Sequence, residues 1–497
     1  MVKIRIDDME IQAGEDQTVL QVALAHGIQI PHFCFHPRLK VAGNCRMCLV
    51  EIEKMPKLQI ACGTNVREGM VVLTQTERVK KARQAVMEFL LINHPLDCPV
   101  CDQCGECRLQ DYSFEYGKVE CRYRESRRTF PRMDLGETLV RDMNRCIHCT
   151  RCIRFLRDVA GQEELGLAER GGHTEVGTYV QTALESPFSL NLAEVCPVGA
   201  LTSKLFRFKA RPWMMDRTST LCPGCSRGCN ATAWAYRGKL LRFTPRENEA
   251  VNRCWMCDFG RRCLDRVHDD DRLSWAAIRG QRVTRSQAIA ALSALLEEAR
   301  RAGTAGEVWV IASASLTNEE LEAVSRLARE GIGTARVGLL AGQPDERAFG
   351  PLDTPLSEWF IRKDKFPNSR GARDTLGIEG QETLSALLAA RPGSCAGLLV
   401  FGEDLGARLG DLAAVRARVG SVPWLVVADS QRSPLSALAQ IELPLSGFAE
   451  KSGTYTNEAG MAQKLAAVVP APGEGQSVVS LVSELTRASR DLEGKGD

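Results

Sequence analysis

Several features that would assign this chain to a common class are missing from its sequence. No run of about 18 apolar residues occurs, so nothing predicts a transmembrane helix. The net charge is only +2, so no global field favours nucleic acid or an anionic membrane as a partner. The first residues, MVKIRIDDMEIQ, alternate like a strand and lack the apolar core of a signal peptide. We therefore expect the protein to stay in the cytoplasm or a similar compartment.

Motifs for nucleotides and for hydrolytic catalysis are also missing. There is no G-x-G-x-x-G after a predicted strand, no P-loop, and no Ser-His-Asp arrangement. The chain is therefore expected to have no NADH or flavin site of its own.

Cysteine is abundant but confined almost entirely to the first half of the chain. Of the 20 cysteines in 497 residues, only Cys395 lies beyond Cys263. Cytosolic thiols are kept reduced, so a dense cysteine pattern there indicates a metal site or catalysis rather than disulfides.

Fifteen of the cysteines and one histidine form four candidate ligand sets. The sets are Cys34, Cys45, Cys48 and Cys62; His94, Cys98, Cys101 and Cys107; Cys146, Cys149, Cys152 and Cys196; and Cys222, Cys225, Cys229 and Cys257. Iron–sulfur clusters are held by cysteine thiolates, with histidine replacing some of them in certain centres. Four such sets before residue 260 predict several redox centres, as in a protein that carries electrons.

The first and third sets have the clearest spacing. Cys45 and Cys48 form a C-x2-C pair preceded by Gly43, in a segment that reads as a small β-rich domain. This pattern favours a [2Fe–2S] centre over the alternative of tetrahedral zinc.

The third set is C-x2-C-x2-C followed by Cys196-Pro197, the bacterial [4Fe–4S] signature. Arginines crowd this triplet, either to stabilise an anionic cluster or as a solvated basic face; they are Arg145, Arg151, Arg154 and Arg157.

The second and fourth sets leave alternatives open. Cys104 gives a C-x2-C-x2-C-x2-C run that could supply four thiolates without His94, which would then be a residue at a helix C-terminus. The fourth set suits a cubane cluster or zinc, and Cys254 or Cys263 could replace Cys257, which we prefer.

Hydrophobic periodicity outlines the secondary structure. It predicts a hairpin at 3–6 and 10–12, helices at 18–26 and 78–93, and strand-like segments at 48–53 and 58–62. After about residue 272 it predicts an α/β pattern, with helices at 286–301, 317–329 and 411–418 and buried parallel strands at 308–311, 397–401 and 425–428. Residues 345–375 read as a long loop, and the polar tail from Gly473 is expected to fray.

The run of sites resembles a known family. The chain is similar to the large iron–sulfur subunit of the peripheral arm of bacterial NADH:quinone oxidoreductase, respiratory complex I, which is known as the G subunit. The resemblance is carried, in the family's order, by GNCRMCLVEIEK, NHPLDCPVCDQCGECRLQD, RDMNRCIHCTRCIRF, NLAEVCPVGALTSKLFRFKARPWMM and CPGCSRGCN. Near the end, EKSGTYTNEAGMAQ resembles the family's closing motif.

The resemblance implies ligands and cofactors. It implies a [2Fe–2S] cluster on the first set, a [4Fe–4S] cluster on the second that includes His94, another on the third, and a further off-path one on the fourth. The cofactors would be one [2Fe–2S] and two to three [4Fe–4S] clusters, without molybdopterin. Cys104, where the family usually has glycine, and the additional Cys254 depart from the pattern.

The fold class implied is α+β multidomain: an N-terminal β-grasp [2Fe–2S] ferredoxin domain, small [4Fe–4S] ferredoxin-like domains, and a C-terminal α/β domain like a truncated molybdopterin oxidoreductase. The expected domains are 1–77 ([2Fe–2S] ferredoxin type), 78–117 ([4Fe–4S], one histidine and three cysteines), 138–210 ([4Fe–4S], ferredoxin-like), 215–271 ([4Fe–4S], molybdopterin-oxidoreductase type) and 272–497 (degenerate and shortened).

The resemblance also implies a function. The chain would relay electrons from the NADH- and flavin-binding subunit of a proton-translocating complex I to quinone-side iron–sulfur subunits. It would be a peripheral subunit on the cytoplasmic face of the inner membrane, touching the membrane only through the assembled complex, with no nucleic-acid partner. The alternative is the electron-transfer subunit of an NAD-linked hydrogenase or formate dehydrogenase.

Overall fold

The computed structural model divides the chain into two compact units. It describes residues 1–179, 182–350, 354–378, 394–402 and 419–493, with four isolated positions (386, 389, 413 and 417) besides. Unit 1 runs from Met1 to Met214 and includes a short later segment that ends at Glu358, and unit 2 contains the rest. None of the helices formed by the described residues is long and apolar enough to cross a bilayer.

Unit 1 begins with a mixed five-stranded sheet. Its strands are β1 (Val2–Ile6), β2 (Met9–Ala13), β3 (Leu49–Ile52), β4 (Gln59–Ile60) and β5 (Val71–Leu73), in the order β2-β1-β5-β3-β4. Only β1 and β5 pair in parallel. Helix α1 (Val19–Ala25) buries Val19, Leu20, Val22 and Ala23 in the same core as the strands. Thr18 begins the helix with a capping box to Gln21, and Gly27 follows its end at φ +75°. The predicted hairpin and helix are confirmed.

The remainder of unit 1 is built from short elements around loops. They are α2 (Glu77–Leu91), α3 (Arg108–Tyr116), β6 (Met133–Leu135), β7 (Leu139–Arg141), α4 (Arg151–Arg154), β8 (Leu165–Ala168), β9 (Glu175–Thr178), α5 (Asn191–Val195) and β10 (Leu201–Ser203). Strands β10, β7 and β6 form an antiparallel sheet, and β8 pairs with β9. A π-helical turn, Phe155–Ala160, continues α4. The helix predicted at 78–93 is thus confirmed as α2.

Unit 2 begins with an antiparallel sheet and continues into a seven-stranded one. The first sheet contains β11 (Asp216–Leu221), β12 (Asn230–Tyr236) and β13 (Lys239–Pro245), followed by α6 (Asp258–Arg262). The second contains β14 (Ala277–Ile278), β15 (Gln281–Arg282), β16 (Val308–Ser313), β17 (Val337–Leu340), β18 (Gly397–Phe401), β19 (Leu425–Asp429) and β20 (Ile441–Pro444), in the order β15-β14-β20-β19-β18-β16-β17. Its last five strands in that order are parallel, as predicted for the apolar runs at β16, β18 and β19.

Helices cover one face of the large sheet. They are α7 (Arg285–Arg301), α8 (Asn318–Arg326), α10 (Ser369–Leu376) and α11 (Val478–Glu493). The short α9 (Leu356–Trp359) precedes α10 in the chain, and a hairpin of β21 (Gly453–Thr456) and β22 (Ala462–Leu465) precedes α11. Alternate strand residues pack against these helices, and the other alternate residues form a second core on the opposite face.

Two expectations about the C-terminal half are wrong. The tail does not fray from Gly473 onward, because α11 buries Val478, Leu481, Val482 and Leu485 at helical spacing against the sheet. The segment 345–375 is not a continuous loop, because α9 and most of α10 lie in it. Apart from the isolated positions 413 and 417, the helix predicted at 411–418 lies outside the described residues.

Candidate functional site

The first candidate set lies at the edge of the N-terminal sheet. Cys45 and Cys48 immediately precede β3, and Cys62 follows β4 in a tight turn. Gly43 and Arg46 take the left-handed conformation, at φ +63° and +58°, as the tight loop around the C-x2-C pair requires.

The structure brings all four cysteines of this set together. The Cys34 amide donates to Cys45 Sγ at 3.4 Å. The thiols of Cys45 and Cys62 donate to Cys34, which holds its pKa well below the usual value, and Cys62 also contacts Cys48. The hydrogen bond from Cys62 lowers the pKa of Cys48 as well. Four convergent thiols, two of them favoured as thiolates, are the donor set that an iron–sulfur centre requires.

The second set lies between α2 and α3. His94 follows the end of α2, and Cys107 is the residue that precedes α3. Burial raises the pKa of Cys107 to about 11, and the nearby thiols of Cys98 and Cys101 contribute. Cys104 is only half-buried, and its amide donates to the Cys101 carbonyl at 3.3 Å.

The environment of His94 is suited to a side chain that binds a metal. Burial lowers the pKa of His94 to about 4, so the imidazole is neutral at pH 7, the form that binds metals. Its Nδ1 atom is buried and, among the described residues, has no hydrogen-bond partner. A buried polar atom without a partner costs free energy, so this nitrogen fits a bound metal.

The third set encloses a small cavity. Cys146, Cys149, Cys152 and Cys196 all line it. His148 and Thr150, between the first three cysteines, are both left-handed, at φ +50° and +58°. Burial raises the pKa of Cys146 to about 12 and of Cys149 to about 11, so the thiols need a metal to become thiolates.

Two buried arginines tie the third set to the first. The Arg154 guanidinium donates to Cys34 O at 2.6 Å and to Cys149 O at 3.0 Å. Arg151 donates to the carbonyls of Phe35 and Val195. Asn44 adds a bond to His148 O at 3.0 Å.

The third set also contacts the second. Gly199, three residues after Cys196, lies so close to Cys101 that a Cβ atom there would be 2.3 Å from Cys101 Sγ. Arg145, 1% exposed, pairs with Asp97 beside Cys98 and with Asp142 at 3.6 Å. The ligand loops of sets one, two and three therefore interlock within unit 1.

The expectation of a solvated basic face beside the triplet is wrong for three of the four arginines. Arg145, Arg151 and Arg154 are buried and bonded to carbonyls or carboxylates. Only Arg157 is substantially exposed, with 50% of its side chain accessible, and it pairs with Asp158.

The fourth set lies in unit 2, between β11 and β12 and at the start of α6. All four of its cysteines are buried; burial raises the pKa of Cys222, and the nearby thiols of Cys229, Cys257 and Cys225 raise it further. The Cys263 thiol also raises the pKa of Cys222, and Cys254 is half-buried. Gly260 approaches closely, since a Cβ atom there would lie 2.4 Å from Cys222 Sγ.

A buried arginine and the closing motif support this fourth loop. Arg227 has no exposed surface and donates to the carbonyls of Val251, Trp359 and Phe360. Asn457 donates to Arg227 O at 3.1 Å, and Gln463 donates to Gly228 O at 2.9 Å. The segment EKSGTYTNEAGMAQ thus packs on the loop that carries Cys225 and Cys229.

The donor sets fit iron–sulfur centres. Within the described residues, no group of three or more His, Cys, Asp or Glu side chains has the arrangement for holding a single metal ion, and the fit rests on the donor types and on which donors are neighbours. The thiols of each set are neighbours, and the buried Nδ1 atom of the predicted ligand His94 has no hydrogen-bond partner among the described residues.

Comparison with protein families identifies the class of the first half. Residues 1–77 match a 2Fe-2S iron–sulfur cluster binding domain and residues 83–122 the NADH-ubiquinone oxidoreductase-G iron–sulfur binding region. Residues 136–202 match the ferredoxin-like domain of NADH-quinone oxidoreductase subunit 3, and residues 215–269 a molybdopterin oxidoreductase Fe4S4 domain. This half of the chain is therefore an iron–sulfur protein with 2Fe-2S and 4Fe-4S binding domains.

Comparison with curated proteins shows which proteins this chain resembles. The chain is 50% identical to the G subunit of NADH-quinone oxidoreductase from Rickettsia typhi over 265 residues, 53% of this chain and 39% of that one. It is 45% identical to the NADH-ubiquinone oxidoreductase 75 kDa subunit of Reclinomonas americana over 265 residues, 53% of this chain and 38% of that one. It is 40% identical to the mitochondrial NADH-ubiquinone oxidoreductase 78 kDa subunit of Candida albicans over 343 residues, 67% of this chain and 47% of that one.

The chain spans less than half the length of these relatives. Over the matched residues, the resemblance to the G subunit of NADH-quinone oxidoreductase that the sequence predicted is confirmed. Among solved structures, an NAD⁺-reducing [NiFe]-hydrogenase matches with a TM-score of 0.39 and 30% identity, covering 42% of this chain and 90% of that one.

Proposed function

We propose that this chain is the iron–sulfur electron-transfer subunit of a proton-translocating NADH:quinone oxidoreductase. It receives electrons from an NADH-oxidising flavin subunit and delivers them to quinone-side iron–sulfur subunits. The observation that carries the proposal is the Arg154 guanidinium, which bonds Cys34 O and Cys149 O at once and so fixes two ligand sets side by side. The relatives named as complex I subunits support it.

The ligand assignment is part of the proposal. A [2Fe–2S] cluster is held by Cys34, Cys45, Cys48 and Cys62, and [4Fe–4S] clusters are held by His94, Cys98, Cys101 and Cys107, by Cys146, Cys149, Cys152 and Cys196, and by Cys222, Cys225, Cys229 and Cys257. The proposed domains keep the boundaries 1–77, 78–117, 138–210, 215–271 and 272–497.

Side chains of this protein cannot by themselves accept and release single electrons at moderate potentials; bound clusters supply that chemistry. The chain's own residues hold the donors, exclude water and set the local charge. Cys149 and Cys196 are buried, and Arg151 and Arg154 place positive charge beside them. Positive charge close to an anionic centre favours its reduced form.

We place the third ligand set between the first and the second. Arg154 joins Cys149 to Cys34, and Gly199 brings the third loop against Cys101. Electron tunnelling falls off steeply with distance, so this spatial order, rather than the order in the chain, sets the route. The link between the first and second loops is made by flanking residues, with Arg108 Nη1 2.9 Å from His32 Nε2.

We propose that the fourth set and the C-terminal domain have a structural role. The mainly parallel seven-stranded sheet that follows the 215–269 match supports a degenerate and shortened molybdopterin oxidoreductase-like domain without molybdopterin. Cys395, the cysteine of that region, is 2% exposed in the core beside β18 and so is poorly placed as a metal ligand.

We further propose that the protein is a peripheral subunit on the cytoplasmic face of the inner membrane. Its membrane contact would come only from the assembled complex, because no described helix is suited to span a bilayer.

Metal analysis and spectroscopy test the proposal. Anaerobically purified protein is expected to contain about 14 iron atoms per chain with matching acid-labile sulfide, and its low-temperature EPR spectrum after dithionite reduction should contain one [2Fe–2S] signal and [4Fe–4S] signals. Zinc in place of iron, and a colourless protein after reconstitution, would refute it in favour of a zinc-bound scaffold.

A pair of variants tests the second ligand set. His94→Ala should abolish or change one [4Fe–4S] signal, because it removes the imidazole whose Nδ1 has no protein partner among the described residues. Cys104→Ala should leave that signal intact, because the proposed ligand set does not include Cys104. The opposite outcome would assign the fourth ligand to Cys104.

A further inference from the structure

An arginine occupies a core position of α2 beside the first ligand set. The buried residues of this helix are Val79, Arg83 and Met87, which recur every four residues and form one stripe. Arg83 has no exposed surface, so its charge lies where an amphipathic helix places an apolar side chain.

The guanidinium of Arg83 is only partly satisfied. Its Nη2 atom donates to Leu49 O at 3.2 Å, directly after Cys48. Its Nε and Nη1 atoms are buried and have no hydrogen-bond partner among the described residues, and no carboxylate of those residues forms an ion pair with it.

The other groups that face Arg83 do not neutralise it. Its carbon Cζ lies 5.6 Å from the centroid of the Tyr116 ring on α3, whose phenol is neutral at pH 7 because burial raises its pKa. Burial lowers the pKa of Arg83, and among its neighbours Tyr116 opposes that shift most, ahead of the Cys48 thiol and the Glu115 carboxylate. The Glu115 carboxylate is exposed to solvent and hydrogen-bonds Tyr116.

An arginine side chain stays protonated even when it is buried, and an uncompensated buried charge costs several kcal/mol of folding free energy. The missing counter-charge has a natural source next to Leu49. Four thiolates that bind two irons and two sulfides form a unit with net negative charge, and reduction by one electron adds to that charge.

We infer that Arg83 is the counter-charge of the [2Fe–2S] centre on the first ligand set and tunes its reduction potential. This inference rests on the proposed function. Among the described residues Arg83 forms no hydrogen bond with a ligand sulfur, and it acts as a positioning and tuning residue. It stabilises the reduced form more than the oxidised one and so raises the potential.

A redox titration of the full chain, followed by the EPR signal of the [2Fe–2S] centre, tests the inference. Arg83→Met removes the charge, and Arg83→Gln keeps a donor for Leu49 O without the charge. Both variants should shift the one-electron reduction equilibrium at least tenfold toward the oxidised form. This shift corresponds to a reduction potential that is lower by at least about 59 mV. Arg83→Lys should restore most of the wild-type potential, and the [4Fe–4S] signals should shift much less.

The matched control is Arg78→Met on the same helix. Arg78 is exposed and pairs with Glu51 at 3.6 Å, so its removal should leave the potential nearly unchanged at physiological salt. Equal potentials in Arg83→Met and Arg78→Met would overturn the inference while leaving the proposed function in place. Absence of any [2Fe–2S] signal in the wild-type protein would instead refute the proposed function.

Cluster assembly in the variants provides a second readout. If the Met and Gln variants fail to assemble the cluster, assembly by Arg83→Lys supports a need for charge, and failure of all three overturns the tuning role.

Discussion

Replacing Arg154 with methionine should destabilise unit 1 strongly, because this one side chain joins two ligand loops. Its guanidinium donates to Cys34 O at 2.6 Å, to Cys149 O at 3.0 Å and to Lys40 O. A hydrogen bond from a charged donor contributes about 1.5–3 kcal/mol, and an abandoned buried acceptor adds a cost of its own. Because such terms are not additive, we expect a total loss of about 4 kcal/mol.

Arg157→Met is the matched control on the same stretch of chain. Arg157 is half exposed and pairs with the adjacent Asp158, so its removal should cost at most about 1 kcal/mol. For a unit of about 200 residues, a loss of 4 kcal/mol lowers the melting temperature by about 8–16 °C.

The assay is anaerobic thermal unfolding of the cluster-loaded protein, followed by calorimetry and by visible absorbance. Because Arg154 contacts loops of the first and third sets, absorbance from both centres should be lost together in Arg154→Met and at a lower temperature. A melting temperature equal to that of Arg157→Met would refute the argument that these carbonyl contacts hold the loops together.

Two further substitutions test close packing and a buried ion pair. Gly199→Ala should alter the EPR signal assigned to the second set, because its Cβ atom would lie 2.3 Å from Cys101 Sγ, whereas Gly166→Ala, with no atom within 4 Å, should not; identical spectra for both variants would contradict the contact. Lys451→Met should lower the free energy of unfolding of unit 2 by about 3–5 kcal/mol in a urea titration, because it leaves the Glu320 carboxylate buried without its cation at 2.5 Å. A loss below about 1 kcal/mol would show that the hydrogen bonds of Glu320 suffice without the cation.

Much of the fold was predictable because its signals are local. The alternation at the N-terminus predicted the β1–β2 hairpin, and the apolar runs predicted the parallel strands β16, β18 and β19. The terminal helix α11 was missed although Val478, Leu481 and Leu485 already have helical spacing in the sequence. The polar residues between these positions obscure that periodicity in the sequence.

The candidate sites were predictable where their ligands follow a local spacing pattern. A C-x2-C pair such as Cys45 and Cys48 can be recognised from the sequence alone, because both ligands come from one tight loop. The choice of His94 depended on the family resemblance, and its unpaired Nδ1 atom became visible only in the structure. The ligand assignments themselves remain predictions.

The sequence by itself determined which residues could bind iron, because ligand spacing is a property of short loops and needs no knowledge of the rest of the chain. Only the tertiary structure decided which loops lie together and where the buried charges find their partners. Arg154 and Cys34 are 120 residues apart, and Arg227 and Asn457 are 230 apart, yet each pair is joined by a hydrogen bond. Such contacts form because a buried donor or carbonyl must be satisfied by whatever the fold brings beside it, and no local pattern records that neighbour.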